Sequence, residues 1–162
     1  MKGKKFKPGR RSGRRLVITK FREYNKKMSS CVDIHNHDDE GFKVLVQYQS
    51  WRTGVLNCGK TTRPEFFSYV EKHKETDEVF VRLKGRAYLI IAGDSEKPGS
   101  FEVLLLEPNK TYNVKANVWH GVIMSDDAAL YIVENIDTSK SNSSYYELTK
   151  EEKEMIMRRV SL

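Results

Sequence analysis

The chain is short of the features that staple a protein shut or hold it in a membrane. Its 162 residues include two cysteines, Cys31 and Cys58, four prolines and four histidines. Two thiols are too few for a disulfide framework, so reduced cysteines in a cytoplasmic protein are expected. There is no run of about 20 apolar residues, so no transmembrane helix is expected. The Leu16-Val-Ile18 run is too short for a secretory signal. Helical periodicity is missing from residue 41 to about 135, which argues against a helix bundle. Acidic residues are scarce at one end. Residues 1–27 hold 12 Lys and Arg against Glu23, a balance of +11, while the remaining 17 basic and 21 acidic residues give −4. The formal charge of +7 therefore belongs to an extension and not to the globular part.

That extension, residues 1–40, is rich in charge and poor in apolar side chains, the composition of a disordered segment. Its basic arm could meet nucleic acid or anionic lipid through non-specific electrostatics, and no other nucleic-acid signal is present. Met28, directly after the basic run, is an alternative natural start, and an Arg-rich, acid-poor leader is also the composition of an organelle presequence. His35-Asn-His37 followed by acids invites a metal, but reads better as a polar linker.

From Gly41 the texture changes to short strands punctuated by turns. Phe42 to Tyr48, Trp51 to Asn57, Phe66 to Glu71, Val79 to Leu83, Ala87 to Ala92, Phe101 to Leu106, Thr111 to Val114, Gly121 to Met124 and Ala128 to Glu134 make about nine strands. Many short strands at regular spacing predict a sandwich or barrel over 41–147. Residues 137–144 read as a loop. Thr149 and Glu152 have capping-box spacing, which predicts a helix over about 150–159 within a C-terminal segment, 148–162. Met155, Ile156 and Val160 would dock it on the barrel or on a second subunit.

The chemistry concentrates at Glu71-Lys-His73 and Glu78-Val-Phe-Val-Arg82. Side chains alternate along a strand, so Glu71 shares a face with His73, and Glu78 shares one with Phe80 and Arg82. A turn at residues 75–77 would fold the two strands side by side, and His120 would add a second imidazole. Alternation also turns Arg82 inward, where a guanidinium needs a carboxylate or a ligand anion, unless a bulge turns it out.

These residues resemble the cupin superfamily. In its first motif, G-x5-H-x-H-x(3,4)-E-x6-G, Glu78 and Gly85 fit, His73 takes the second histidine, and Glu71 and Glu65 stand for the first histidine and the opening glycine. In the second, G-x5-P-x-G-x2-H-x3-N, His120 fits, with Asn109, Lys115, Asn117 and Met124 at the other positions. Asn109 and Asn117 stand where glycines do in the motif, and asparagine tolerates a left-handed backbone best among the other residues. The resemblance covers about residues 43–135.

It implies an all-β double-stranded β-helix, a jelly-roll cupin barrel, with Glu71, His73, Glu78 and His120 as a possible divalent-metal set for Mn, Fe or Zn, and no organic cofactor. His73, Glu78 and His120 are the candidate catalytic residues, and Arg82, Arg52 and Tyr112 the candidate substrate-binding ones. Tyr48 and Tyr88 could join Tyr112 at the mouth, with Trp119 as core packing. Val46-Gln-Tyr-Gln-Ser-Trp51-Arg52 and Asn117-Val-Trp-His120 are, more loosely, similar to small cupins near the ureidoglycolate lyases. The expected function is that of a lyase or isomerase acting on a small carboxylate-bearing metabolite, or else of a non-catalytic binder of a small ligand or sugar. A homodimer is the expected assembly.

Overall fold

A computed structural model describes residues 31–162. Residues 31–35 lie in a separate unit and carry no regular secondary structure; residues 36–162 form the compact unit discussed here. The basic run over 1–27 and Met28 lie outside the described residues.

The compact unit is built from ten strands: β1 (Gly41–Tyr48), β2 (Trp51–Asn57), β3 (Tyr69–His73), β4 (Glu78–Lys84), β5 (Ala87–Ile91), β6 (Glu102–Leu105), β7 (Thr111–Val114), β8 (His120–Met124), β9 (Ala129–Asn135) and β10 (Ser143–Glu147). One helix, α1 (Lys150–Met157), follows. The strands form two antiparallel five-stranded sheets, in the orders β1-β2-β9-β4-β7 and β10-β3-β8-β5-β6. This is the jelly roll that the strand pattern and the cupin resemblance predict.

Alternation along β5 shows how the layers stack. Ala87 and Leu89 join an apolar cluster with Phe80, Leu106, Val122, Met124, Leu130 and Ile132, residues drawn from both sheets. Tyr88 and Ile90 point the other way, into a second cluster with Phe67, Val70, Trp119, Ile123, Leu148 and Ile156. The second sheet is thus buried on both faces at β5 and β8, one face toward the first sheet and one toward α1. The helix starts where its capping box places it. The Glu152 amide donates to Thr149 Oγ1 at 3.2 Å, and the Thr149 amide donates to Glu152 Oε2 at 2.8 Å. Ile156 is fully buried, whereas Met155, expected to dock beside it, is 42% exposed.

Three expectations need correction. β3 and β4 are not a hairpin: β3 pairs with β8 and β10, while β4 pairs with β7 and β9, so the turn at residues 75–77 crosses between sheets. The segment read as a loop over 137–144 ends in β10, whose Ser-Ser-Tyr-Tyr lacks an apolar alternation and is a strand because β3 offers it an edge. The bulge allowed for at Arg82 falls after it: Arg82 pairs in register with Leu130, and the pairing of β4 with β9 slips only between Arg82 and Lys84. The left-handed positions fare better. Asn109 and Asn117 have φ of 61° and 66°. Gly85 has φ of +64°, and a Cβ there would sit 2.4 Å from Ala128 Cα, so both conformation and space require glycine.

Candidate functional site

Between the sheets lies a cavity of about 360 Å³, within the range of small-ligand pockets. Glu71 and His73 reach it from β3, His120 from β8, Glu78 from β4, Glu134 from β9, and Arg52 from β2. The crossing between sheets makes the convergence possible. Glu78 meets the imidazoles across the gap and not along a shared edge. Its Oε2 is 3.0 Å from His73 Nε2 and 2.8 Å from His120 Nε2, and the two rings are 5.3 Å apart.

The other ring nitrogens fix the tautomers. His120 Nδ1 is 2.8 Å from the Val118 carbonyl, which can only accept, so Nδ1 carries a proton. Ser143 Oγ donates to the Ser139 carbonyl at 2.7 Å and therefore accepts from His73 Nδ1 at 2.8 Å. A neutral imidazole has one N–H. Both Nε2 atoms thus aim lone pairs at a carboxylate oxygen, and three acceptors meet with no proton between them. Either the rings become imidazolium or a cation sits among them. Backbone or hydroxyl acceptors behind the distal nitrogens are the usual support of metal-binding histidines. Ligand atoms of Glu71, His73 and His120 lie within 4.8 Å of one another, as do those of His73, Glu78 and Glu134. Two imidazoles with carboxylates suit iron, manganese or zinc, so the residues present fit a divalent ion.

The electrostatics follow from burial and from this crowding. Burial alone would raise the Glu78 carboxyl, but where the two rings are imidazolium their hydrogen bonds outweigh it, His120 first and then His73, and hold the group at about 2. Burial opposes charge on His120, yet its contacts with Glu78 raise its pKa overall. Glu71 is pushed up by burial and then by the Glu78 charge. Glu134 is raised by burial and by Glu78, against the pull of Arg52. Tyr145 stands opposite Glu71 in the β10–β3 pairing and lines the cavity with it. Its phenol is pushed up to about 12 by burial and by the Glu71 charge.

A pH prediction follows for the metal-free protein. A histidine with a raised folded pKa gives stability that is complete below about 6.5 and lost as pH rises through the folded value. Chelated protein should therefore melt at a lower temperature at about pH 9 than at about pH 6, and Zn²⁺ or Mn²⁺ should restore it at the higher pH, where the imidazoles bind without losing protons. Melting curves at the two pH values, with and without metal, test this; a flat profile would remove the imidazolium from the account.

The candidate residues divide clearly. Glu71, His73, Glu78, His120 and Arg52 all line the cavity. Arg82 does not: the paired Phe80 and Ile132 line the cavity, and the next pair on that face, Arg82 and Leu130, does not reach it. Tyr112 does not either. Its hydroxyl accepts from the Glu107 amide at 2.9 Å and donates to the Leu105 carbonyl at 3.4 Å, tying the turn between β6 and β7. Tyr48 and Tyr88 are also absent from the lining; Tyr88 holds the Ser161 carbonyl. The linker histidine His37 places Nε2 2.9 Å from the Gly41 carbonyl, a local tie. Glu134, Ser143, Tyr145 and Lys140 were not singled out by the sequence. Glu134 had a readable signal: it continues the alternation of buried Leu130 and Ile132, so a carboxylate occupies a core-facing position. The other three depend on β10 and the loop before it.

Facing jelly-roll sheets with two imidazoles and a carboxylate converging between them define a cupin. Within that superfamily the chain belongs to the ureidoglycolate lyase family, whose model, described as "Ureidoglycolate lyase", matches residues 19–155. Among solved structures it is similar to the capsular polysaccharide assembling protein CapF from Staphylococcus aureus, at 12% identity and a TM-score of 0.50, over 74% of this chain and 34% of that one. A cupin-2 domain protein from Shewanella frigidimarina is similar at 17% identity and a TM-score of 0.43, over 69% and 91% of the two chains. Co(II) HppE in complex with substrate is similar at 20% identity and a TM-score of 0.46, over 66% and 59%. A search of curated proteins found no match. Among the described residues, no helix is long and apolar enough to cross a membrane.

Proposed function

We propose that this chain is a cupin lyase that splits ureidoglycolate into glyoxylate and urea, with a divalent ion held by His73 Nε2, His120 Nε2 and Glu78, and with Glu71 beside it for proton transfer. The observation that carries this reading is the meeting of two imidazole Nε2 atoms on one buried carboxylate oxygen inside a cavity of small-metabolite size. Family membership supports the choice of substrate. A bound ion would polarise the substrate's oxygens.

The remaining work is proton transfer. Breaking the hemiaminal requires the carbinol hydroxyl to lose a proton as its oxygen lone pair forms the new carbonyl. The C–N bond breaks with its electron pair going to the urea nitrogen, and that nitrogen takes a proton. Glu71 is suited to both steps, since it faces the cavity and burial raises its carboxyl, which favours taking up a proton and handing it on. Tyr145 lies across the strand pair from it, and its phenol, at about 12, stays protonated throughout. His73 and His120 are kept in one tautomer by Ser143 and the Val118 carbonyl.

The test is direct. The purified chain should contain stoichiometric divalent metal and release glyoxylate and urea from ureidoglycolate. Glu71→Gln should lower turnover by about 100-fold or more, the usual span for a general acid–base, while leaving metal content intact. Absence of both products from metal-replete protein would overturn the lyase reading.

A further inference from the structure

The cavity is poorly suited to an anion as described so far. Three carboxylates line it, from Glu71, Glu78 and Glu134. Arg52, the expected carboxylate clamp, is already engaged. Its Nε donates to Glu134 at 2.9 Å, its Nη1 to the Ile136 carbonyl at 3.3 Å, and its Nη2 to the Thr138 carbonyl at 2.7 Å. Arg82 lies outside the lining. One further cation among the described residues reaches the cavity, Lys140, on the loop between β9 and β10. It is exposed and makes no hydrogen bond or ion pair with any described residue.

The loop that carries Lys140 is held from several sides. Arg52 grips the Ile136 and Thr138 carbonyls. The Ser139 amide donates to Asn142 Oδ1 at 2.8 Å, and the Ser139 carbonyl accepts from Ser143 Oγ at 2.7 Å. That same hydroxyl accepts from His73 Nδ1. The backbone beside Lys140 is therefore linked through one serine to a site imidazole, and a long cationic side chain is carried at the rim of a negatively lined cavity.

We infer that Lys140 is the anchor for the carboxylate of the substrate, and that Arg52 is a positioning residue which holds the anchor's loop. This rests on reading the cavity as the site of a carboxylate-bearing substrate. The ammonium offsets the carboxylate lining at the rim, and its three donors are open to an incoming anion. Its exposure sets the scale: a charge pair of this kind is worth about fivefold in affinity, and less at high salt.

Glycolate and glycolamide separate the charge from the shape, because they differ only in carboxylate against amide. Calorimetric titration of the full-length protein as purified should show glycolate binding weakened about fivefold in Lys140→Met and largely kept in Lys140→Arg, with glycolamide binding unchanged in both. The Lys140→Met loss should shrink as salt is raised. Equal glycolate affinity in wild type and Lys140→Met, or no saturable glycolate binding by the wild type, would overturn the anchor. Lys140-dependent glycolate binding by a protein that leaves ureidoglycolate intact would keep the anchor and remove the lyase. Ureidoglycolate turnover with an unchanged KM in Lys140→Met would do the reverse.

Discussion

Glu78→Ala should cost the protein its divalent ion and its turnover together. The carboxylate is the point on which both imidazoles converge, at 2.8 and 3.0 Å, and it supplies the negative charge between them. Without it, two neutral Nε2 atoms face each other with no anion to balance a dication. Metal supplies several kcal/mol of charge stabilisation in such sites, so a loss of about 1,000-fold in turnover is expected. Elemental analysis should show the ion gone at ordinary metal concentrations. The fold should persist, since the apolar cluster below the site does not depend on this side chain. A secondary effect discriminates further. Glu71 and Glu134 are both raised in part by the Glu78 charge, so their pKa values should fall in the variant. A Glu78→Ala protein that keeps its metal and its rate would refute the site as drawn.

The largest stability effect should come from Arg52→Leu. The Glu134 side chain is 5% exposed and Arg52 is 21% exposed, so the pair is mostly removed from water. Removing one partner of a buried pair leaves an uncompensated charge and costs about 3–5 kcal/mol. The lower end applies here because Arg52 is partly solvated, and a loss of about 3 kcal/mol corresponds to about 10 °C in melting temperature for a chain of this size. Two carbonyls of the loop lose their donors in the same step. The sign with pH is fixed: losing the arginine raises the Glu134 pKa further, so the destabilisation is felt above that value and relieved as pH falls and the carboxyl protonates. Arg52→Leu with Glu134→Leu should recover much of the loss, because an apolar pair replaces an ion pair at little cost. A single variant that melts with the wild type would show that the guanidinium carries no structural burden.

Much of the site could be read locally. The pleat has a period of two, so Glu71 with His73, and Glu78 with Phe80, share a face whatever the strands pair with. Arg82 keeps the same parity, opposite buried Leu130, but parity cannot tell how far along a strand the cavity reaches. Glu134 shows another limit. Its parity was plain, but its meaning required knowing that β9 lies beside β4 in the sheet. Ser143 and Tyr145 had no local signal, since a Ser-Ser-Tyr-Tyr run becomes a strand only when an edge accepts it.

What the sequence by itself determined is therefore what short-range sterics and hydrogen bonding determine: which side chains share a face, that Asn109 and Asn117 turn left-handed, and that Thr149 and Glu152 begin a helix. Tertiary structure decided that β3 and β4 face each other from opposite sheets, that five acidic and imidazole groups from four strands meet, and that Lys140 and not Arg82 reaches the cavity. The reason is one of range. Backbone geometry is set by immediate neighbours, whereas the choice of pairing partner depends on burial summed over strands as far apart in the chain as those of Arg52 and Glu134, 82 residues from one another.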